Sequence, residues 1–85
     1  MVMYIISNAS ECDGELKCHD ILIRQTYEDA IITIQNSIAA DYGYSTWNEY
    51  LAENDPAINE QNGVYTLYDN YGNHQEYYRI DRVKT

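Results

Sequence analysis

Residues 26–43, TYEDAIITIQNSIAADYG, decide the fold of this chain. Apolar side chains recur there at intervals of three and four residues, which places them on one face of an α-helix. Thr26 and Asp29 have the spacing of a capping box at its start, with Asp in place of the preferred Glu. Gly43 suits the left-handed residue that ends such a helix. The face consists of Tyr27, Ala30, Ile31, Ile34, Ile38 and Tyr42.

A second, shorter helix follows the first. Thr46 and Glu49 stand at capping-box spacing, and Trp47 and Tyr50 share one side of the helix behind them. The helix should end before Pro56, because the residue preceding a proline is disfavoured in the α region.

Strand patterns lie on both sides of the helices. Residues 2–6 are rich in β-branched and aromatic side chains and predict a first strand, whereas residues 7–15 have the composition of a turn. Residues 16–24 are ambiguous between strand and loop, and we interpret them as a second strand.

The C-terminal third predicts a hairpin. After a turn at Asn62-Gly63, strands over 64–69 and 75–83 are joined by a loop over 70–73. Tyr65, Leu67, Tyr78 and Ile80 are the expected core face of that hairpin, and the alternate residues face solvent.

The fold class that follows is α+β, in a single domain over 1–85, because a chain this short has room for one core. The element order is β(β)-α-α-β-β, with an antiparallel sheet, one long helix packed across a face and a C-terminal hairpin. No apolar run approaches the roughly 20 residues of a membrane span. The N-terminus lacks the basic region of a signal peptide, which predicts a cytoplasmic protein.

The charge balance is the strongest functional signal. Fourteen Asp and Glu stand against five Lys and Arg, for a formal charge of -9. Such a chain repels phosphate, so we do not expect direct nucleic-acid binding. Because it has no apolar run of spanning length, we expect no membrane association either. Residues 25–78 contain no Lys or Arg and nine acids, and carboxylates gathered on one side would imitate the phosphates of DNA. The imitation requires clustering, since evenly spread acids would give too low a charge density.

Ten tyrosines add to this signal, because tyrosine is common at the centres of protein interfaces. We therefore expect a partner-binding surface that combines acids with tyrosines from loops and from the outward hairpin face. The predicted residues are Asp41, Tyr44, Glu49, Glu53, Asp55, Glu60, Tyr68, Asp69, Tyr71, Glu76 and Tyr77.

The residues typical of catalysis or metal binding do not form a known motif. Cys12, Cys18, His19 and His74 fit none of the usual zinc spacings, and we predict no metal and no cofactor. The two cysteines are expected as free thiols, with a labile disulfide as the alternative in an oxidising setting. No Gly-rich phosphate loop is present, and we do not expect an enzyme.

In composition the chain resembles small phage-encoded inhibitors of host nucleases, such as DNA mimics and anti-CRISPR or anti-restriction proteins. The resemblance rests on size, acidity and tyrosine content and transfers no residues. It implies an inhibitor, encoded by a phage or mobile element, that covers the basic nucleic-acid-binding surface of a host nuclease or effector complex by partial DNA mimicry. The alternative is a non-enzymatic assembly module that forms a homodimer through the edge of its sheet.

Overall fold

A computed structural model describes residues 1–19, 21–71 and 74–84, with the side chain of Tyr71 excepted. The predicted α+β class is confirmed. The elements, in chain order, are β1 (Val2–Cys12), β2 (Glu15–Cys18), β3 (Leu22–Arg24), α1 (Tyr27–Asp41), α2 (Trp47–Glu53), β4 (Ala57–Gln61), β5 (Val64–Tyr71) and β6 (His74–Lys84).

All six strands in the described part of the chain belong to one antiparallel sheet. Its order is β2-β1-β6-β5-β4, and β3 pairs with the beginning of β1. The first and last strands are neighbours along their whole length, from Val2 opposite Lys84 to Cys12 opposite His74. This pairing brings the two ends of the chain into the middle of the sheet.

The prediction of a turn over 7–15 is wrong. β1 continues to Cys12, and the chain reverses at Asp13-Gly14, where φ is 52° and 84°. Two successive residues with positive φ make the two-residue hairpin turn that Asp-Gly and Asn-Gly favour. The small polar residues of this half of β1 are held as a strand because β2 and β6 pair with it on both sides.

The C-terminal hairpin does not lie at the sheet edge. β4 was not expected, but it pairs with β5 through the predicted Asn62-Gly63 turn, whose φ values are 54° and 77°. β6 is covered by β1 on its other side. The edges are therefore β4 on one side and β2 with β3 on the other.

Both predicted helices are confirmed, with their caps. The Thr26 hydroxyl accepts the Asp29 N–H at 3.1 Å, and the Thr46 hydroxyl accepts the Glu49 N–H at the same distance. Helix α1 ends at Asp41, and Gly43, whose φ is 79°, follows its C-cap Tyr42. The Gly43 and Tyr44 N–H groups then donate to the carbonyls of Ala40 and Ala39, the paired bonds of a Schellman motif.

The helices cover one face of the sheet, here called the helix side; the opposite face is called the outer face. The core lies on the helix side. Its side chains include the expected hairpin residues, and its members are Ile6, Ala30, Ile34, Ile38, Tyr50, Tyr65, Leu67, Tyr78 and Ile80. In the described part of the chain, neither helix has the length and apolar character needed to cross a membrane.

Candidate functional site

Four of the predicted acids lie close together in the chain, in or beside the helices. Asp41, Glu49, Glu53 and Asp55 are all exposed, and we call them the acidic segment. Two of them also hold the local structure. Glu49 accepts the N–H of Ser45 at 3.1 Å, which completes the cap of α2. Glu53 accepts the hydroxyl of the half-buried Tyr44 at 2.6 Å, so the predicted interface residue Tyr44 is already engaged within the protein.

Asp69 and Glu76 are not surface residues, which corrects their assignment to an exposed interface. Each is only 3% exposed. The physical reason is the alternation of strand residues: Asp69 follows Tyr65 and Leu67 on the helix side, and Glu76 precedes Tyr78 and Ile80 there. The two buried carboxyls lie directly opposite each other on β5 and β6.

The remaining predicted residues do not join the acidic segment. Tyr68 and Tyr77 lie on the outer face, with ring centroids 4.8 Å apart. Glu60 is on the helix side but faces a cavity that it shares with Arg82 and Tyr27. The side chain of Tyr71 lies outside the described residues. The predicted set therefore divides among two faces and the interior instead of forming one surface.

A row of polar residues crosses the helix side near one end of the sheet. Ser10, Glu76 and Asp69 are in register on β1, β6 and β5. The Tyr50 hydroxyl donates to Asp69. Burial, and then the Asp69 carboxylate, raises the pKa of the hydroxyls of both Tyr42 and Tyr50. The tyrosines thus stay neutral donors beside a carboxylate that they help to hold in the interior.

Next to this row lies a pocket of about 440 Å³, which we call the polar pocket. Ser10 Oγ is 2.8 Å from Nε2 of His19, and His74 Nε2 is 3.4 Å from Oε1 of Glu76. The volume falls within the range of small-ligand sites, roughly 300–1,000 Å³. The residues around the pocket are Ser10, His19, Asp41, Tyr42, His74 and Glu76.

The electrostatics of the polar pocket are negative. Burial raises the pKa of Glu76; His74 acts in the opposite direction, and the negative charge of Asp41 raises the pKa further. Asp41 closes α1, where the helix dipole is itself negative, and the last turn of α1 has no basic residue. An acid at this position opposes the dipole and adds to the negative charge beside the pocket.

The described residues around the pocket include a serine next to a histidine. A serine next to a histidine is the start of a nucleophilic pair, but catalysis also needs a group that orients the histidine. Among the described residues, no carboxylate hydrogen-bonds to His19, and Ser10 is 8% exposed. Within the same described ranges, no three His, Cys, Asp or Glu side chains are arranged to hold a metal ion.

Cys12 and Cys18 are free and exposed, as expected. The alternative disulfide between them does not fit the strand register. Cys12 lies opposite Glu15 and Cys18 lies opposite Ala9, so the two side chains point to different faces of the β1–β2 hairpin.

The polar pocket was missed in the sequence because its residues come from distant parts of the chain. The pairing of β1 with β6 places Ser10 opposite Glu76 and Cys12 opposite His74. The signal that predicts this pairing is Asp13-Gly14, since a hairpin turn there extends β1 far enough to reach the beginning of β6. Comparisons with models of protein families, with curated proteins and with solved structures found no match.

Proposed function

We propose that this protein binds a basic surface of another protein, of the kind that contacts nucleic acid, and inhibits that partner by covering the surface. The observation that carries the proposal is the negative charge of the helical region, which no Lys or Arg within 25–78 offsets. The acidic segment exposes four carboxylates, and residues 25–78 contain no Lys or Arg. Attraction between such a segment and a basic surface would speed the encounter and weaken with salt.

Fewer than the nine acids of residues 25–78 are available for DNA mimicry. Asp69 and Glu76 are buried, and Glu60 faces Arg82 across a cavity. Glu28 and Asp29 lie at the beginning of α1, whereas the acidic segment starts at its end. The proposal is therefore partial mimicry, with the acidic segment in place of a short run of phosphates.

We extend the proposal to the genetic origin of the protein and to its place of action. An inhibitor of this size and charge fits a phage or mobile genetic element that acts against a host nuclease or an effector complex, as an anti-CRISPR or anti-restriction protein does. Its place of action would then be the host cytoplasm.

The test is capture of partners from a bacterial lysate, followed by competition of each captured protein with duplex DNA. The variant Asp41→Asn/Glu53→Gln removes two charges of the acidic segment, and both amides still accept hydrogen bonds. The matched control Glu28→Gln/Asp29→Asn removes two charges at the other end of α1. We expect a DNA-competed partner whose affinity falls about ten-fold or more in the first variant and much less in the control.

Loss of affinity that is equal in the two variants would show that only net charge matters and would contradict a role for the acidic segment. Capture that does not weaken at high salt, or that DNA does not compete, would contradict a partner with a nucleic-acid-binding surface.

A second candidate function, a homodimer, is favoured by the apolar side chains on the outer face. Tyr77, Ile23 and Leu16 are exposed on that face without a helix to cover them. The C-terminal hairpin is not an edge of the sheet, so a dimer would use the outer face or one of the two edges, β4 or β2 with β3. Sedimentation equilibrium tests it: a dimer that Tyr77→Ser dissociates supports this function, and a monomer at all concentrations contradicts it.

A further inference from the structure

We propose that the polar pocket receives the guanidinium group of an arginine from the basic partner, with Glu76 as the carboxylate that pairs with it. This inference rests on the proposed function and names the chemistry by which the partner is recognised. It concerns a different group of residues from the acidic segment, with Asp41 common to both.

The first observation is an incompletely bonded carboxylate in the interior. Glu76 is 3% exposed, and its Oε2 lies within hydrogen-bond geometry of no described group; His74 and the Tyr78 hydroxyl act on the carboxyl and lower its pKa, but burial outweighs them. Its other oxygen is 3.4 Å from His74, which is a long contact and ionic only when the imidazole is protonated. A buried carboxylate with an unsatisfied oxygen is costly, and a cationic donor beside Glu76 would reduce that cost.

The second observation is the surroundings of Glu76. Asp41 lines the same pocket from the end of α1, and its negative charge raises the pKa of Glu76. The cation nearest in register is Lys17, opposite Ser10 on β2, and it is exposed at the sheet edge. The ion pairs within the described residues join Glu76 to His74 and Arg79 to Asp81, so neither uses Lys17.

The pocket favours guanidinium over ammonium because two aromatic rings line it. Tyr42 and His74 lie edge to face with ring centroids 5.8 Å apart, and both contribute to the pocket. A guanidinium is planar, stacks on aromatic rings and pairs with a carboxylate through two N–H groups. It is also less strongly hydrated than an ammonium group, which matters for a carboxylate as buried as Glu76.

The test is an NMR titration of the full chain with the blocked tripeptide Ala-Arg-Ala, compared with Ala-Lys-Ala and with a citrulline tripeptide that has no charge. We expect the arginine tripeptide to shift the signals of His74, Glu76 and Tyr42 and to bind more tightly than the other two. Glu76→Gln should weaken its binding about ten-fold or more, whereas the control Glu60→Gln, in the cavity beside Arg82, should leave it unchanged.

Equal binding by Glu76→Gln, or binding that the citrulline tripeptide matches, would overturn the inference. Shifts in the same residues produced by Zn²⁺ but not by the arginine tripeptide would assign the pocket to a metal and would also overturn it. Circular dichroism establishes that Glu76→Gln is folded, and Asp41→Asn provides a second, exposed substitution that should weaken binding in the same direction.

The failure of this inference can be distinguished from the failure of the proposed function. Lysate capture that is equally strong with wild type and Glu76→Gln would leave the acidic inhibitor standing and remove the arginine pocket. Tripeptide binding without any salt-sensitive capture would leave the pocket standing and remove the inhibitor.

Discussion

Two rows on the helix side of the same three strands have opposite characters. Ile6, Ile80 and Tyr65 are in register across β1, β6 and β5 and form part of the dry core under α1. The second row begins with Ser10, four residues further along β1, which is in register with Glu76 and Asp69. The first row is what a small domain requires for stability. The second row buries two carboxyls, which lowers stability unless each finds a partner.

This difference separates the part of the sheet that holds the fold from the part that is available for binding. In the second row, Asp69 receives the Tyr50 hydroxyl, so its charge is accommodated within the protein. Each of the two carboxyls keeps one oxygen without a hydrogen bond among the described residues, and Glu76 is the one that also borders the polar pocket. Substitutions in the first row should therefore affect only folding. Substitutions in the second row should change stability and binding independently of each other.

The largest effect is expected in the apolar row. Ile80→Ala removes a fully buried side chain at the centre of the sheet and should lower the free energy of unfolding by about 2–5 kcal/mol, measured by urea denaturation. Ile58→Ala, at the exposed edge strand β4, is the matched control and should cost well under that amount. Equal losses at the two positions would contradict the assignment of the core.

A smaller loss of unfolding free energy is expected when the hydrogen bond from Tyr50 to Asp69 in the polar row is removed. Tyr50→Phe keeps the ring that stacks on Tyr42 and Trp47 but removes the donor to Asp69, which should cost about 1.5–3 kcal/mol. Tyr68→Phe on the outer face is the control, with an expected change within about 0.5 kcal/mol. A Tyr50→Phe protein as stable as wild type would show that Asp69 does not depend on this hydrogen bond.

The smallest effect, and the one of opposite sign, is expected at Glu76. Because the folded-state pKa is raised above the ordinary value of 4.5, the folded protein holds this proton more tightly than the unfolded chain. The stability from this group is therefore present below that value and is lost as pH rises towards the folded-state pKa. Glu76→Gln should remove this loss and unfold at a higher temperature than wild type at neutral pH.

Melting curves from about pH 4 to about pH 8 test this linkage. The gap between Glu76→Gln and wild type should be small at the acid end and should widen as pH rises. A gap that narrows with rising pH would mean that ionised Glu76 stabilises the fold, and the comparison of the two rows would then fail.

The helices could be predicted because their signals are local. Thr26, Thr46 and Gly43 are caps that act within a few residues, and the apolar spacing between them fixes the face that is buried. The core face of the hairpin followed in the same way from alternation. The same alternation, extended by two residues from Leu67 and from Tyr78, places Asp69 and Glu76 on the buried face. Their charge pointed instead to a surface position, which is why the prediction was wrong.

The site could be predicted less well because it depends on long-range pairing. β4 is a short, fully exposed polar edge strand without an apolar alternation to mark it. The second half of β1 also lacks an apolar alternation, and it forms a strand because it pairs with β2 and β6. The pocket that joins His19, Asp41 and His74 exists only once this pairing is known.

The most direct test of the account is an intermolecular NOE measurement on the full chain with bound Ala-Arg-Ala. An arginine bound in the polar pocket should give NOEs from its Hδ protons to the ring protons of Tyr42 and His74. NOEs confined to Tyr68 and Tyr77 on the outer face, or lost equally in Glu76→Gln and Glu60→Gln, would contradict the assignment of the polar end of the sheet as the binding site.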